Sequence, residues 1–255
     1  MMKFLGSLAK LILLASSVFL CGFMIACATF NWRYGPTPDD VYHQVDNSVV
    51  RVVAPMSGEG TAFSFLGASG NKYLVTNAHV CEHFGPGAYA AVPVKGDDLK
   101  VDVQVVAISD KYDLCALKMS VDPMIPLQPA AHIYAHERVF VAGFPMMPFL
   151  MVRDGYVGGL TEFTLQYDIS IDKCKGPKFK IEQMGIILEG SELVDSCILY
   201  GQMLVATVPS DLGNSGSPLL NEDLEVVGVV MLSRGLTAST GAVPIEFLMD
   251  FMSKL

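Results

Sequence analysis

The sequence has little positive charge and few charged residues overall. It contains 17 lysine and arginine residues against 26 aspartate and glutamate residues, and its formal net charge is −9. Because phosphate binding needs a basic face, this acidity argues against nucleic acid as a partner. Charged residues make up 17% of the chain and hydrophobic residues 51%, which excludes a disordered tail and indicates a packed protein.

The sequence also lacks internal repeats, low-complexity segments and the ligand spacing of a metal site. Cys81 and His83 lie close together, but two ligands are too few for zinc. We therefore predict no metal ion and no other cofactor.

A long uncharged run lies near the N-terminus. Lys3 and Lys10 precede Leu11–Phe30, whose twenty residues carry no formal charge. That length suits a spanning helix, which needs roughly 17–25 residues. The small residues at 26–28 fit a cleaved signal peptide, and residues 24–27 resemble a lipoprotein box. All three alternatives export the rest of the chain. We expect a membrane-anchored protein with an extracytoplasmic body, or a secreted one if the segment is cleaved.

Six cysteines suit an exported chain. Two belong to the N-terminal run, which leaves Cys81, Cys115, Cys174 and Cys197. Four cysteines allow three connectivities, and the sequence does not choose among them. Cys174 and Cys197 flank a hairpin-like stretch and are our preferred disulfide. For Cys81 and Cys115, a second disulfide and two buried free thiols remain alternatives.

The hydrophobic pattern divides the chain into segments. Residues 1–30 are the signal or anchor, and a polar connector follows at 31–44. Short strand-like runs between glycine and proline turns fill 45–120 and, after a proline-containing linker at 121–135, fill 136–244. Regular short strands of this kind indicate an all-β antiparallel barrel or sandwich.

Two local patterns complete this prediction. Gly155–Leu160 and Thr161–Ile171 are predicted as separate strands in the second set. Pro244 opens a predicted helix over 245–255. Apolar residues recur in that helix at helical spacing and predict a face that docks on the body: Ile245, Leu248, Met249, Met252 and Leu255.

The chemistry centres on residues 213–218, Gly-Asn-Ser-Gly-Ser-Pro. Small residues around a serine suit a tight turn that exposes one hydroxyl. Upstream, His79 follows a strand-like run, and Asp113 stands at the head of another strand. The order His79, Asp113, Ser215 is one in which a base, an orienting acid and a nucleophile are known to occur.

These motifs resemble those of the trypsin-like serine peptidases, and the Gly-Asn-Ser-Gly form points to the HtrA/Deg-type branch. The resemblance covers about residues 45–250 and implies two six-stranded antiparallel barrels with the active site between them. It implies that Ser215 attacks a peptide carbonyl, that His79 is the base and that Asp113 orients it. The backbone N–H groups of Gly213 and Ser215 would form the oxyanion hole, and polypeptides would be the substrates.

The resemblance also implies the position of a primary substrate pocket. Two features found in relatives, salt-bridge activation and a PDZ domain, are not expected in this chain. The pocket would be lined by Pro209, Ser210, Met231, Leu232, Ser233 and Gly241, with Asp211 close by. This lining favours a medium aliphatic side chain over lysine or arginine. Asn214 stands where the digestive enzymes carry an acid, so activation by the salt bridge of that acid is not expected. No PDZ domain follows, so we expect no substrate recruitment through one.

Several alternatives accompany this interpretation. A catalytically inactive trypsin-like fold could serve as a binding module, and an active enzyme could be dedicated to processing one partner. Asp110 is a second candidate acid, but the family pattern selects Asp113. The remaining histidines lack a comparable motif and are predicted to be structural: His43, His83, His132 and His136.

Overall fold

Two closed antiparallel barrels of six strands each dominate the computed structural model. It describes residues 35–54, 58–82, 84–94, 97–109, 111–168, 182–183, 186–187, 196–234 and 239–255. The barrels confirm the all-β fold class. The predicted signal or anchor at 1–30 lies outside the described residues. Among the residues that are described, we find no helix with the length and apolar character needed to cross a membrane.

The first barrel has strand order β1-β2-β3-β6-β5-β4 and closes where β1 pairs with β4. Its strands are β1 (Val49–Ala54), β2 (Gly58–Leu66), β3 (Lys72–Thr76), β4 (Tyr89–Val94), β5 (Asp97–Ile108) and β6 (Cys115–Met119). β-branched and leucine side chains fill its interior, among them Val50, Val52, Leu74 and Leu117.

The second barrel has strand order β11-β14-β13-β12-β7-β8. Its strands are β7 (Arg138–Gly143), β8 (Met151–Asp168), β11 (Ser196–Ala206), β12 (Pro218–Leu220), β13 (Val226–Arg234) and β14 (Ser239–Pro244). Between β8 and β11, β9 (Glu182–Gln183) and β10 (Ile186–Ile187) form a separate two-stranded sheet.

β8 corrects one prediction. Gly155–Leu160 and Thr161–Ile171 are not separate strands, because β8 continues from the first range into the second as far as Asp168 and pairs first with β7 and then with β11. Gly158 and Gly159 lie where the register with β11 shifts, and Gly159 has a φ of 137°. These two glycines therefore belong to a β-bulge, which bends a strand without ending it.

The predicted connector at 31–44 is also wrong in part, because helix α1 spans Pro38–Val45. Thr37 caps the helix by accepting a hydrogen bond from Asp40 N, and the Asp40 carboxylate accepts one from Thr37 N at 2.9 Å. Val41 and Val45 are fully buried. A capping box and one apolar face make this short polar stretch helical.

Besides the apolar interiors of the two barrels, a further apolar cluster lies between them. It contains Phe63 and Val75 from the first barrel and Phe140 and Val229 from the second. Helix α3, Ile245–Met252, follows β14 and closes the cluster, which confirms the predicted C-terminal helix. Its apolar face is narrower than predicted, since Met249 is 43% exposed.

Candidate active site

His79 and Asp113 are brought together by a strand pair. A one-turn helix, α2 (Ala78–Cys81), follows β3 and carries His79, while Asp113 precedes β6. β3 pairs with β6, with Thr76 opposite Cys115, so both residues lie at the same edge of the sheet. The Asp113 carboxylate contacts His79 Nδ1 at 2.8 Å and accepts a hydrogen bond from His79 N at 3.1 Å.

The environment of this pair makes the imidazole of His79 more basic. Asp113 is 3% exposed, and Asn77 Nδ2 donates to its backbone carbonyl at 2.9 Å. Burial is the largest influence on the pKa of His79, and it opposes protonation. The hydrogen bond and charge of Asp113, with the charge of Glu82, outweigh burial and raise the pKa of His79. With Nδ1 engaged by the carboxylate, Nε2 is the atom available to accept a proton.

A disulfide cross-links the two elements that carry His79 and Asp113. Cys81 and Cys115, each two residues beyond His79 or Asp113, are bonded to each other. The disulfide alternative is thus confirmed over two free thiols. A cross-link of this kind typically stabilises a fold by about 2–4 kcal/mol. The side chains of Cys174 and Cys197 lie outside the described residues, so that disulfide stays a prediction.

The turn that carries Ser215 packs against the end of β3. A Cβ atom built on Gly216 would overlap with Thr76 Oγ1 and Thr61 O, and Gly216 has a φ of 85°. Glycine is therefore required here both by space and by backbone conformation. Ser215 is partly exposed. Within the described part of the chain, no hydrogen bond joins the Ser215 hydroxyl to the His79 ring.

Two backbone amides of this turn have no hydrogen-bond acceptor among the described residues. Asn214 N donates to Asp211 O at 3.1 Å, and Ser217 N donates to Asn214 O at 2.9 Å. Among the described residues, we find no acceptor for the amides of Gly213 and Ser215. Gly213 has a φ of 92°. An oxyanion hole needs a pair of unpaired donors of this kind.

Thr61 is a residue that the sequence analysis missed. Its hydroxyl donates to Gly213 O at 2.8 Å and accepts from Phe144 N at 3.0 Å, while Thr61 N donates to Ser215 O at 2.8 Å. Thr61 is fully buried in β2. It therefore joins the first barrel to the serine turn in the second. A threonine within a strand carries no motif, so the sequence offers no signal for this role.

We expect Thr61→Val to lower kcat by about 100-fold while changing KM little, because Gly213 O in the serine turn loses its hydrogen bond from the Thr61 hydroxyl and Phe144 N loses its acceptor. The free energy of unfolding should fall by about 1–3 kcal/mol, since buried partners are left unpaired. Steady-state kinetics and urea unfolding measure the two effects.

Thr207→Val is the matched control, because the exposed Thr207 hydroxyl also bonds to backbone, at Tyr156 N and Tyr156 O. It should leave kcat unchanged. An unaltered kcat in Thr61→Val would contradict the positioning role.

The structure shows how buried four of the six predicted pocket residues are. Ser210, Met231 and Gly241 are buried and Pro209 is exposed, while the side chains of Leu232 and Ser233 lie outside the described residues. Ser210 Oγ accepts a hydrogen bond from Thr240 Oγ1 at 2.7 Å.

Three of the remaining histidines lie at the surface. His43, His132 and His136 are exposed, and His83 and Asp110 lie outside the described residues. Across the described ranges, no cluster of three or more histidine, cysteine, aspartate or glutamate residues could hold a metal ion.

Known proteins are similar to this chain in sequence and in fold. A family model described as a trypsin-like peptidase domain matches residues 60–229. A probable periplasmic serine endoprotease DegP-like of Hahella chejuensis is 24% identical over 232 residues, which cover 87% of this chain and 41% of the relative. The chain thus spans less than half the length of this relative.

Two solved structures show the same fold. The active form of the Rv3671c protease from M. tuberculosis superposes with a TM-score of 0.58 at 21% identity, covering 82% of this chain and 83% of that one. The HtrA-type protease AlgW, solved with a tripeptide, gives a TM-score of 0.60 at 16% identity, covering 86% of this chain and 63% of that one. Because the family model spans more than half of the sequence, the chain belongs to the trypsin-like peptidases.

Proposed function

We propose that this chain is a serine endopeptidase that hydrolyses polypeptides through Ser215, His79 and Asp113. The observation that carries this proposal is the buried Asp113 carboxylate held 2.8 Å from His79 Nδ1. That contact leaves Nε2 facing away from the carboxylate as a base. The serine turn packs on the same strand end, and the amides of Gly213 and Ser215 find no acceptor in the described part of the chain. Catalytic hydrogen bonds often tighten only when substrate binds, which accounts for the lack of a bond between Ser215 and the His79 ring across the described ranges.

The reaction would proceed in two steps of similar chemistry. Ser215 Oγ attacks the scissile carbonyl while His79 Nε2 takes its proton, and the amides of Gly213 and Ser215 bind the oxyanion. Protonated His79, stabilised by Asp113, then gives that proton to the leaving amine, which leaves an acyl-enzyme. Water attacks the acyl group with His79 again as base, and the hydroxyl of Ser215 is restored.

Hydrolysis of an unfolded polypeptide tests this proposal. We expect the full-length chain to degrade reduced, carboxymethylated casein and to lose that activity after treatment with a fluorophosphonate. Mass spectrometry of the fragments gives the cleavage sites. Binding of casein without any cleavage would contradict the proposal and favour an inactive binding module.

We further propose that the chain is exported and held at a membrane by its N-terminal segment. Lys3, Lys10 and the uncharged Leu11–Phe30 support this orientation, as does the likeness to a protein described as periplasmic. A C-terminal fusion to alkaline phosphatase should be active, and a cytoplasmic reporter at that position should be inactive.

Cys27→Ser distinguishes a spanning anchor from a lipid anchor, because it removes the acceptor of the lipid and leaves the apolar run nearly unchanged. We expect the variant to stay in the membrane fraction at a mass lower only by the substitution. Release of the body into the soluble exported fraction would exclude a spanning anchor.

A further inference from the structure

A side chain of the protein itself occupies the space beside Gly241, one of the predicted pocket residues. A Cβ atom built on Gly241 would overlap with the sulfur of Met203, and Met203 is 7% exposed. β11 and β14 pair with Val205 opposite Gly241. Met203, two residues before Val205, is therefore a diagonal neighbour of Gly241 on the same face of the sheet. Its thioether fills the space that the glycine leaves.

This space adjoins the serine turn. The turn and Val230 exchange two backbone hydrogen bonds of 2.8 and 2.9 Å, and Val230 pairs with Ala242, next to Gly241. On the other side of Gly241, Thr240 donates to the hydroxyl of Ser210, which lies on the approach to the turn. The segments that precede and flank the nucleophile thus meet at Gly241.

Met203 also points away from the interior of its own barrel. It belongs to the apolar cluster between the barrels, together with Met231 and Phe144. Its neighbour Leu204 and the paired Ala242 belong instead to the interior of the second barrel. Because successive residues of a strand face opposite sides, Met203 lies on the face of the sheet that is turned away from the interior of the second barrel.

We propose that Met203 limits the depth of the primary pocket and makes the enzyme selective for a small apolar side chain, alanine or valine, before the scissile bond. This inference rests on the proposed endopeptidase function. The lining residues alone predict a medium aliphatic side chain, but Met203 takes part of the volume that such a side chain needs. One methylene in an apolar pocket changes selectivity by about 10- to 200-fold.

The charge near the pocket agrees with an apolar substrate residue. Asp211 is the acid closest in sequence to the serine turn, and its carboxylate pairs with Arg153 at 2.8 Å. A carboxylate already paired with an arginine offers little attraction to a lysine or arginine of the substrate.

The test is a set of peptides that differ only in the residue before the scissile bond: alanine, valine, leucine or phenylalanine. In the wild-type enzyme, kcat/KM should be highest for alanine or valine. Met203→Ala should raise the leucine-to-alanine ratio of kcat/KM by about 10-fold or more. Met203→Val, which removes less volume, should shift the ratio in the same direction. Met119→Ala, at a methionine buried in the first barrel, should leave the ratio unchanged.

Gly241→Ala gives a second and independent readout. Its new Cβ overlaps with the Met203 sulfur, so this variant should lose kcat/KM for every peptide. Adding Met203→Ala should restore hydrolysis of the alanine peptide.

Titration with a fluorophosphonate separates this inference from the proposed function. An unchanged ratio in a Met203→Ala enzyme that labels fully overturns the role of Met203 alone. A wild-type chain that neither labels nor cleaves any peptide overturns the endopeptidase function, and this inference with it.

Discussion

Ser215→Ala will lower kcat for peptide hydrolysis by about a million-fold, and His79→Ala will lower it by a similar factor. The serine hydroxyl is a poor nucleophile without its base, and the base has no role without the nucleophile. The double variant should therefore be little slower than either single variant. Single-turnover and steady-state assays on one peptide measure all three.

Two controls show whether the loss of activity comes from lost catalysis and not from unfolding. The thermal unfolding midpoints should stay close to that of the wild type, because Ser215 is partly exposed and its substitution leaves no buried cavity. Ser69→Ala, at an exposed serine remote in sequence from the motifs, should keep full activity. A Ser215→Ala enzyme that retained even a few per cent of the wild-type turnover would refute the assignment of the nucleophile.

Asp113→Asn should lower kcat by about 10,000-fold, because the amide cannot hold His79 in the tautomer that accepts a proton. It should also move the pH profile. Catalysis needs neutral His79, so wild-type kcat/KM falls as the pH drops through the raised pKa of His79. Without the charge of Asp113, burial of the ring dominates and lowers that pKa, so the acidic limb shifts to lower pH.

The shift of the acidic limb distinguishes lost catalysis from lost structure, because unfolding would abolish activity at every pH. Asp39→Asn is the control, since Asp39 is exposed and lies 3.9 Å from His43 at the surface. It should leave both the rate and the profile unchanged. An acidic limb that stayed in place in Asp113→Asn would show that Asp113 does not set the pKa of His79.

Some of this site could be predicted from local sequence. His79 and Asp113 each stand at a strand end within a motif, and the antiparallel pairing of β3 with β6 brings such ends together. Glycine at 213 and 216 could be expected because the turn needs positive φ angles. Local pattern and global fold agree at these positions.

Other features depend on contacts between distant segments, which a local pattern does not contain. Thr61 and Gly213 are 152 residues apart, and Met203 meets Gly241 only because β11 pairs with β14. Helix α1 is different, since its signal was present in the sequence. Thr37, Pro38 and Asp40 form a helix start, and the surrounding polar residues and prolines concealed it.

The most direct test of the catalytic assignment is the site of covalent labelling. The full-length chain should react with a fluorophosphonate and gain one adduct per molecule, which tandem mass spectrometry should place on Ser215. Labelling should slow as the pH falls through the raised pKa of His79. An adduct on another serine, or no adduct on a folded chain across that pH range, would contradict the assignment.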